Sequence, residues 1–313
     1  MLWITWRQHR VEGVWVLIAT TLMSAAAIFV TYKLGHPGCP AGIPGGDICL
    51  QADPAGTVAQ WILRVNLVNY GIVILPALAG AFIGAPLVAR EIENGTHRLA
   101  WTQGVTRVRW IFAKLSLLFV PLLAASAVVG VLEVFLIDAM GSQPNHWNWF
   151  DQQAPLTVAA TVFALALGVA AGAMIGRSIP AMAVTLVGVV ATRFTLAVFV
   201  RAHYMNPILF SSHDPFSLNG SLGADPSAWW LDQPSYQDAA GHTIGQLEAL
   251  RITGGGSPTD LPTYWKDHGI SIVQYYQPGD RFWTFQTIES GILLALAIVL
   301  LGLAIYWVTR RVS

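Results

Sequence analysis

The chain has 313 residues, of which 54% are hydrophobic and only 11% charged, less than half the roughly 25% charged residues of a soluble domain. With a mean hydropathy of +0.54, that deficit rules out an ordinary water-soluble globule and requires much of the surface to face lipid. The formal net charge is zero, which argues against a nucleic-acid partner; the distribution of charge along the chain says more than the sum.

In chain order, the first thirteen residues place Leu2, Trp3 and Trp6 on one helical face and Arg7 and Arg10 on the other, the pattern of a helix lying in the membrane interface. A first span is expected over 14–32. Its length is near the ~20 residues of a crossing helix rather than the 7–15 of a signal-peptide core, so it reads as an anchor. A Gly/Pro-rich loop follows with both cysteines, Cys39 and Cys49. They form a disulfide if that loop is extracytoplasmic, and otherwise stay as two thiols.

The second span, 67–89, holds Gly71, Pro76, Gly80, Gly84 and Pro86. Pro and Gly are tolerated in a membrane helix when neighbours re-satisfy its backbone, so a bent, closely packed helix is expected. A polar stretch, 90–110, precedes the third span at 111–137. The fourth covers 156–175, after the aromatic and polar run Asn145-His-Trp-Asn-Trp-Phe150, which reads as interfacial. Only Gly176-Arg-Ser-Ile-Pro180 separates the fourth span from the fifth, which ends near 200, so the two form a tight antiparallel hairpin. In the long polar segment that follows, 235–251 reads as a helix, Gly254-Gly-Gly-Ser-Pro as a turn and 271–276 as a short strand. The last span is 287–308, followed by Arg310 and Arg311.

The fold class is therefore an all-α polytopic membrane protein. It has six transmembrane helices, an N-terminal interfacial helix and a small mixed extracytoplasmic segment before the last helix. The expected division is 1–200 for helices one to five, 201–285 for the extracytoplasmic segment, and 286–313 for the last helix and tail. Arg7, Arg10, Arg90, Arg98, Arg107, Arg109, Lys114, Arg177, Arg310 and Arg311 fall on the side of the termini. The positive-inside rule makes that side cytoplasmic.

No Gly-x-x-x-x-Gly-Lys-Ser/Thr phosphate loop, His-Glu-x-x-His zinc motif or Gly-x-Ser-x-Gly elbow occurs. The eight His are scattered without ligand spacing. The chain is not expected to be an enzyme by itself, to bind a metal or to carry a cofactor of its own. Gly80 and Gly84, and Gly168, Gly172 and Gly176, repeat at the four-residue spacing that lets helix backbones approach closely. Within the chain this gives helix packing; between chains it would give a dimer seam. Ionisable groups at the ends of spans or within them cost a few kcal/mol at a helix centre. Here they are Glu133 and Asp138 on the third span, Arg193 on the fifth and Glu289 on the last. Arg193 is expected to pair with Glu133 or Glu289, unless these residues line a substrate pathway.

The 90–110 stretch differs in kind. Asn94-Gly95-Thr96 reads as a turn followed by a helix cap, and the acids Glu91 and Glu93 suggest a specific polar surface rather than lipid anchoring. Glu91-Ile-Glu93-Asn-Gly95-Thr96, followed by Trp101-Thr-Gln-Gly-Val-Thr-Arg107-Val-Arg109-Trp110, resembles the permeases of bacterial ABC exporters of the second type. So do the 168–181 turn with Arg177 and Pro180, and the run from Tyr276 to Glu289 entering the last span. The opening Trp-Ile-Thr-Trp-Arg-Gln-His-Arg is similar to actinobacterial members.

The resemblance implies a cytoplasmic coupling helix within 90–110. It also implies two ATP-binding subunits carrying ATP and Mg, a second permease chain of the same or a sibling sequence, and outward movement of drugs, antibiotics, lipids or polysaccharides. The residues expected to meet the ATP-binding subunit are Glu91, Glu93, Gly95, Thr96, Arg98, Trp101 and Arg107. The chain would then be a multi-pass protein of the bacterial cell membrane, in contact with lipid. The long segment before the last span departs from many relatives. Two other readings stand beside this one. One is a non-transporting membrane sensor or immunity protein that binds a ligand through its outer segment. The other is a membrane enzyme acting on lipid head groups through Asp214 and His268.

Overall fold

The structure, a computed structural model, describes residues 73–95, 106–139, 146–214, 227–245, 248–249 and 261–311, with residues 25 and 251 besides. The expected interfacial helix, the first span, Cys39 and Cys49 lie outside the described residues, as do the side chains of Glu133 and Asp138.

Among the described residues five helices are long and apolar enough to cross a membrane: Val73–Glu93, Arg107–Leu132, Ala154–Ile175, Ser178–His203 and Gly279–Arg310. They coincide with the expected second to sixth spans. The helices are α1 (Val73–Glu93), α2 (Arg107–Ala139), α3 (Ala154–Ile175), α4 (Ser178–Thr195), α5 (Leu261–Asp267) and α6 (Phe282–Arg310). In hydrocarbon a backbone must satisfy its own hydrogen bonds, so the apolar runs of this sequence have the helix as their outlet.

The chain divides into two compact units. The first comprises Met1–Gln143, Trp149–Leu196 and Gln286–Ser313, and α3 is its central helix. The most apolar stretch of α3 is 72% buried, against 17% for that of the span beginning at Ser178. Small residues make this burial geometrically possible. A Cβ added at Gly168 would run into the Gly80 carbonyl oxygen and lie 2.7 Å from the Ala85 nitrogen, and one added at Gly172 would meet the Ala85 carbonyl oxygen. The four-residue glycine spacing therefore serves packing between α1 and α3 of one chain.

α1 carries a π-helical turn at Gly80–Gly84, closed by the Ala85 N–H on the Gly80 oxygen. Pro86, just beyond it, has no N–H to donate and crowds the preceding turn. A widened turn absorbs that defect without breaking the helix. Beside the small-residue seam, Leu87, Val88, Trp110, Ile111, Leu115, Val169, Ala304 and Val308 form a buried apolar cluster drawn from α1, α2, α3 and α6. Gly176 ends α3 at φ 68°, the left-handed stop that glycine supplies without a Cβ penalty, and α4 begins two residues later.

The second unit comprises Pro144–Asn148 and Ala197–Phe285. It contains a five-stranded antiparallel sheet of β1 (Ile208–Ser212), β2 (Trp229–Trp230), β3 (Ser235–Gln237), β4 (Thr243–Ile244) and β5 (Ser271–Gln277), with β5 paired to β1, β2 and β3. The short strand expected at 271–276 is thus the centre of the sheet. The helix expected over 235–251 is not formed at its start, where β3 and β4 make a hairpin. Asp238 decides the difference. Its Oδ1 accepts the N–H groups of Ala240 and His242, and Gly241 takes φ 81°, an Asx-type turn that competes with helix.

Trp265, Ile270, Ile272 and Ala249 form the core of this unit beneath the sheet. Trp147 is buried too, stacked on Trp229 at 5.2 Å and edge-on to Phe282 and Phe285. The aromatic run read as interfacial thus supplies a core anchor.

Two outcomes test this packing. Gly168→Leu is expected to cost about 3 kcal/mol or more through forced separation of α1 and α3. Gly302→Ala, where an added Cβ meets nothing within 4 Å, should be neutral; thermal unfolding of the purified variants in detergent measures both. In the second unit, the His242 backbone N–H, ahead of the other contacts, holds the Asp238 carboxyl below the ordinary Asp range. A depressed folded pKa contributes order that is present above the unfolded value and is lost as pH falls through the folded one. Amide exchange at 240–242 should therefore accelerate only below the ordinary Asp range, and Asp238→Ala should show the fast rate at every pH.

Candidate functional site

The polar residues of the first unit gather in two places. The first is where α1 ends, α2 and α4 begin and α6 ends. Helix α1 continues through Arg90, Glu91 and Glu93 before Asn94 and Gly95 (φ 71°) stop it. The expected polar stretch thus begins on the last turn of a helix.

Glu91 forms a salt bridge with Lys114 of α2, whose side chain is only 4% exposed and whose ammonium lies 5.1 Å from the centre of the Trp110 ring. Glu93 Oε2 accepts hydrogen bonds from the Ser178 N–H at 3.1 Å and the Ser178 Oγ at 2.9 Å. Residue Arg177 before it offers no side-chain cap. The carboxylate of one helix thus caps the positive N-terminal end of another. Arg107 donates to the carbonyl oxygens of Thr309 at 3.1 Å and Val308 at 3.4 Å, placing a cation on the last carbonyls of α6, where the helix dipole favours it. Of the residues expected at a subunit interface, Glu91, Glu93 and Arg107 join helices within the chain, and Gly95 supplies the stop. Thr96, Arg98 and Trp101 lie outside the described residues.

The second place is where α4 ends and α6 begins. Arg193 donates to Asp151 Oδ1 at 2.6 Å and to Glu289 Oε1 at 3.2 Å, and the Glu289 side chain is fully buried. Of the two acids expected to pair with Arg193, Glu289 does so. Gln286 Nε2 donates to the Phe150 carbonyl at 2.6 Å, so the segment just before α3 is joined to α6 twice, directly and through Arg193.

Sequence reasoning missed Asp151 and Ser178. Asp151 had a usable signal, since an acid just ahead of an apolar helix is well placed to meet an intramembrane arginine. Ser178 had only its position at the start of α4.

Three histidines of the second unit engage nearby backbone or acid groups. The Nδ1 of His213 lies 2.7 Å from the Ile270 oxygen and that of His268 lies 2.9 Å from the Tyr264 oxygen; His242 lies beside Asp238. Among the described residues no three His, Cys, Asp or Glu side chains come together as a metal site.

The Arg193 cluster makes a graded prediction. Arg193→Met leaves Glu289 buried without its guanidinium, which should cost about 3–5 kcal/mol, whereas removing both charges of a buried pair costs far less. The double variant Arg193→Met, Glu289→Gln should therefore unfold at a higher temperature than Arg193→Met alone. The reverse order in a thermal melt would show that the pair contributes nothing.

A family model, ABC-2 membrane transporter related, matches residues 11–201, which is more than half of the chain. No curated protein and no solved structure matches it. The matched region contains α1 to α4, the polar stretch between α1 and α2, and the Glu93–Ser178 cap. Its helices are those of a multi-pass membrane protein, and the chain belongs to the ABC-2 membrane transporter related family.

Proposed function

We infer that the chain is the transmembrane permease subunit of an ATP-driven exporter that moves a drug, antibiotic or lipid-like molecule out of a bacterial cell. Permeases of this family generally pair with an ATP-binding subunit. Here ATP and Mg belong to that subunit, present in two copies beside two permease chains, while both termini of this chain face the cytoplasm of the plasma membrane.

The observation that carries the reading is the set of ties around the 96–105 segment. That segment is joined covalently to α1 and α2. Glu93 passes the end of α1 to the start of α4, Lys114 binds α2 to α1 through Glu91, and Arg107 passes the start of α2 to the end of α6. A push delivered to 96–105 by a nucleotide-driven partner is thereby shared by four helices instead of bending one loop. Transport further requires that the partner bind the two permease states with different free energies; without that difference ATP shifts nothing.

Co-purification with an ATP-binding cassette subunit tests the reading. In this assignment Arg98 and Trp101 meet the partner, and Arg and Trp are the side chains that most often dominate an interface. Arg98→Glu and Trp101→Ala should each weaken the complex about tenfold or more and leave the melting temperature of the permease alone unchanged. Charge reversal at Glu91 and Glu93 should uncouple ATP hydrolysis from transport in reconstituted vesicles and also lower that melting temperature, because both acids hold helices together. A wild-type chain that binds no ATP-binding subunit would overturn the proposal in favour of a sensor or immunity protein.

A further inference from the structure

Helix α2 begins with Arg107 and Arg109, and α6 ends at Arg310, with Arg311 next in the chain. The two helix ends lie side by side. Arg107 donates to the Thr309 oxygen at 3.1 Å and the Val308 oxygen at 3.4 Å, and Trp110 and Ile111 share a buried cluster with Ala304 and Val308. No Asp or Glu occurs in 107–114 or in 300–311. The acids described at this end of the unit, Glu91 and Glu93, are engaged by Lys114 and Ser178.

The helix dipole accounts for part of this charge. A cation is favoured at a helix C-terminus, where Arg310 and Arg311 stand, and disfavoured at an N-terminus, where Arg107 and Arg109 stand. The carbonyl oxygens of α6 compensate Arg107. Arg109 and Arg310 are exposed, and neither guanidinium meets a carboxylate among the described residues. An anion from outside the chain supplies what these two lack.

The side chains along the helices below them select the kind of anion. One turn along α2 from Arg109 comes Phe112, 54% exposed, and one turn back along α6 from Arg310 comes Tyr306, 55% exposed. Both helices are long and apolar enough to cross a membrane. Exposed apolar side chains continue down each of them, as Val120 on α2 and Leu303 and Val299 on α6. The Trp307 ring centre lies 5.5 Å from the Arg311 guanidinium, and Tyr and Trp are the residues that gather at the level of lipid headgroups. A phospholipid with an anionic head offers charge at the height of the arginines and hydrocarbon beside the residues below. An acidic protein surface offers only the first.

We propose that the adjoining ends of α2 and α6 form a surface that binds an anionic phospholipid, with Arg109 and Arg310 meeting the headgroup charge and the exposed residues below them meeting the chains. The surface is separate from the exporter reading, and binding is a property of this chain alone.

The experiment titrates the purified full chain in detergent with acyl-labelled phosphatidylglycerol and with phosphatidylcholine carrying the same chains. A basic residue at a membrane surface contributes about a fivefold preference for anionic lipid. Phosphatidylglycerol should therefore bind at least about tenfold tighter, by a margin that shrinks as salt is raised. Arg109→Gln with Arg310→Gln should remove most of the margin and leave phosphatidylcholine binding and the melting temperature unchanged. Arg109→Lys with Arg310→Lys, which keeps the charge, should retain most of it. If the double Gln variant fails to fold, the single variants replace it, each expected to lose about fivefold.

Equal binding of the two lipids by the wild-type chain overturns the proposal. So does an unchanged margin in the Gln variants, which places the lipid elsewhere. Displacement of the labelled lipid by free glycerol phosphate as readily as by unlabelled phosphatidylglycerol would make this a phosphate site instead of a lipid one. Loss of the ATP-binding subunit from the Gln variant, with no lipid preference in the wild type, would give the basic end to a protein partner. No partner subunit enters the lipid titration, so its failure leaves the co-purification test of the exporter reading standing.

Discussion

The first unit depends on how closely α1 and α3 approach. Between two helices in lipid, burial of apolar surface supplies little drive, because lipid tails are as apolar as leucine. Association relies on contact area and on polar groups meeting. Contact area grows when backbones can touch, and here they touch at Gly80, Gly84, Gly168 and Gly172. Alanines around that seam extend it: Ala85 and Ala89 on α1 and Ala171 on α3 are buried together with Ala181 of α4. The same closeness brings the end of α1 to the start of α4, so the Glu93 cap on Ser178 is a consequence of the glycine seam. The π turn in α1 belongs to this constraint. It lies at Gly80–Gly84, on the seam itself, and lets a helix containing Pro86 continue to the residues that make the polar ties.

Charge in the first unit follows two different rules at its two polar places. At the α1–α2 end, four charges complement a helix terminus or a nearby opposite charge: Glu93 at an N-terminus, Arg107 at a C-terminus, Glu91 with Lys114. These are inexpensive arrangements, because the dipole ends of helices already carry partial charge of the right sign. At the Arg193 end the charges meet each other instead, with Glu289 fully buried. A buried pair seldom repays the water it gives up. A sequence that only needed to be stable would have filled that position with leucine.

How much of this was legible in the sequence depended on the range of the interaction. Spans of about twenty apolar residues are a local signal, and 156–175 and 287–308 were read within a few residues of α3 and α6 because hydrocarbon leaves the backbone no alternative. The glycine spacing was legible for the same reason, since it concerns one helix face at a time. The helical continuation over Arg90–Glu93 was not. Charged residues after an apolar run look like the start of a loop, and only their partners on α2 and α4 show that a helix can carry them. Asp151 and Glu289 stand 42 and 96 positions from Arg193; no periodicity connects such distances, so one partner was named through charge balance and the other was not. The misreading lies at the start of 235–251, since 248, 249 and 251 are helical, and it had a local cause. Tyr236, Ile244 and Leu247 can be aligned as a helical face, but Asp238 and Gly241 bond the chain into a turn first, and a side chain that satisfies backbone N–H groups locally prevails over a weak periodicity.

The two polar places also constrain each other mechanically. Helix α4 begins at the Glu93 cap and carries Arg193 in its last turn; α6 carries Glu289 in its second turn and ends at the Arg107 contact. Both helices that hold the Arg193–Glu289 pair are therefore anchored, at their far ends, to residues flanking the 96–105 segment. Helices of this length transmit displacement as stiff rods, and a cluster whose members sit on two such rods changes geometry when one moves against the other. A pair distance of 3.2 Å lies near the outer limit of a good N–H to oxygen bond, so the contact is sensitive to how α4 and α6 are placed. The two polar places are thus joined through α4 and α6, beside the close-packed seam of α1 and α3.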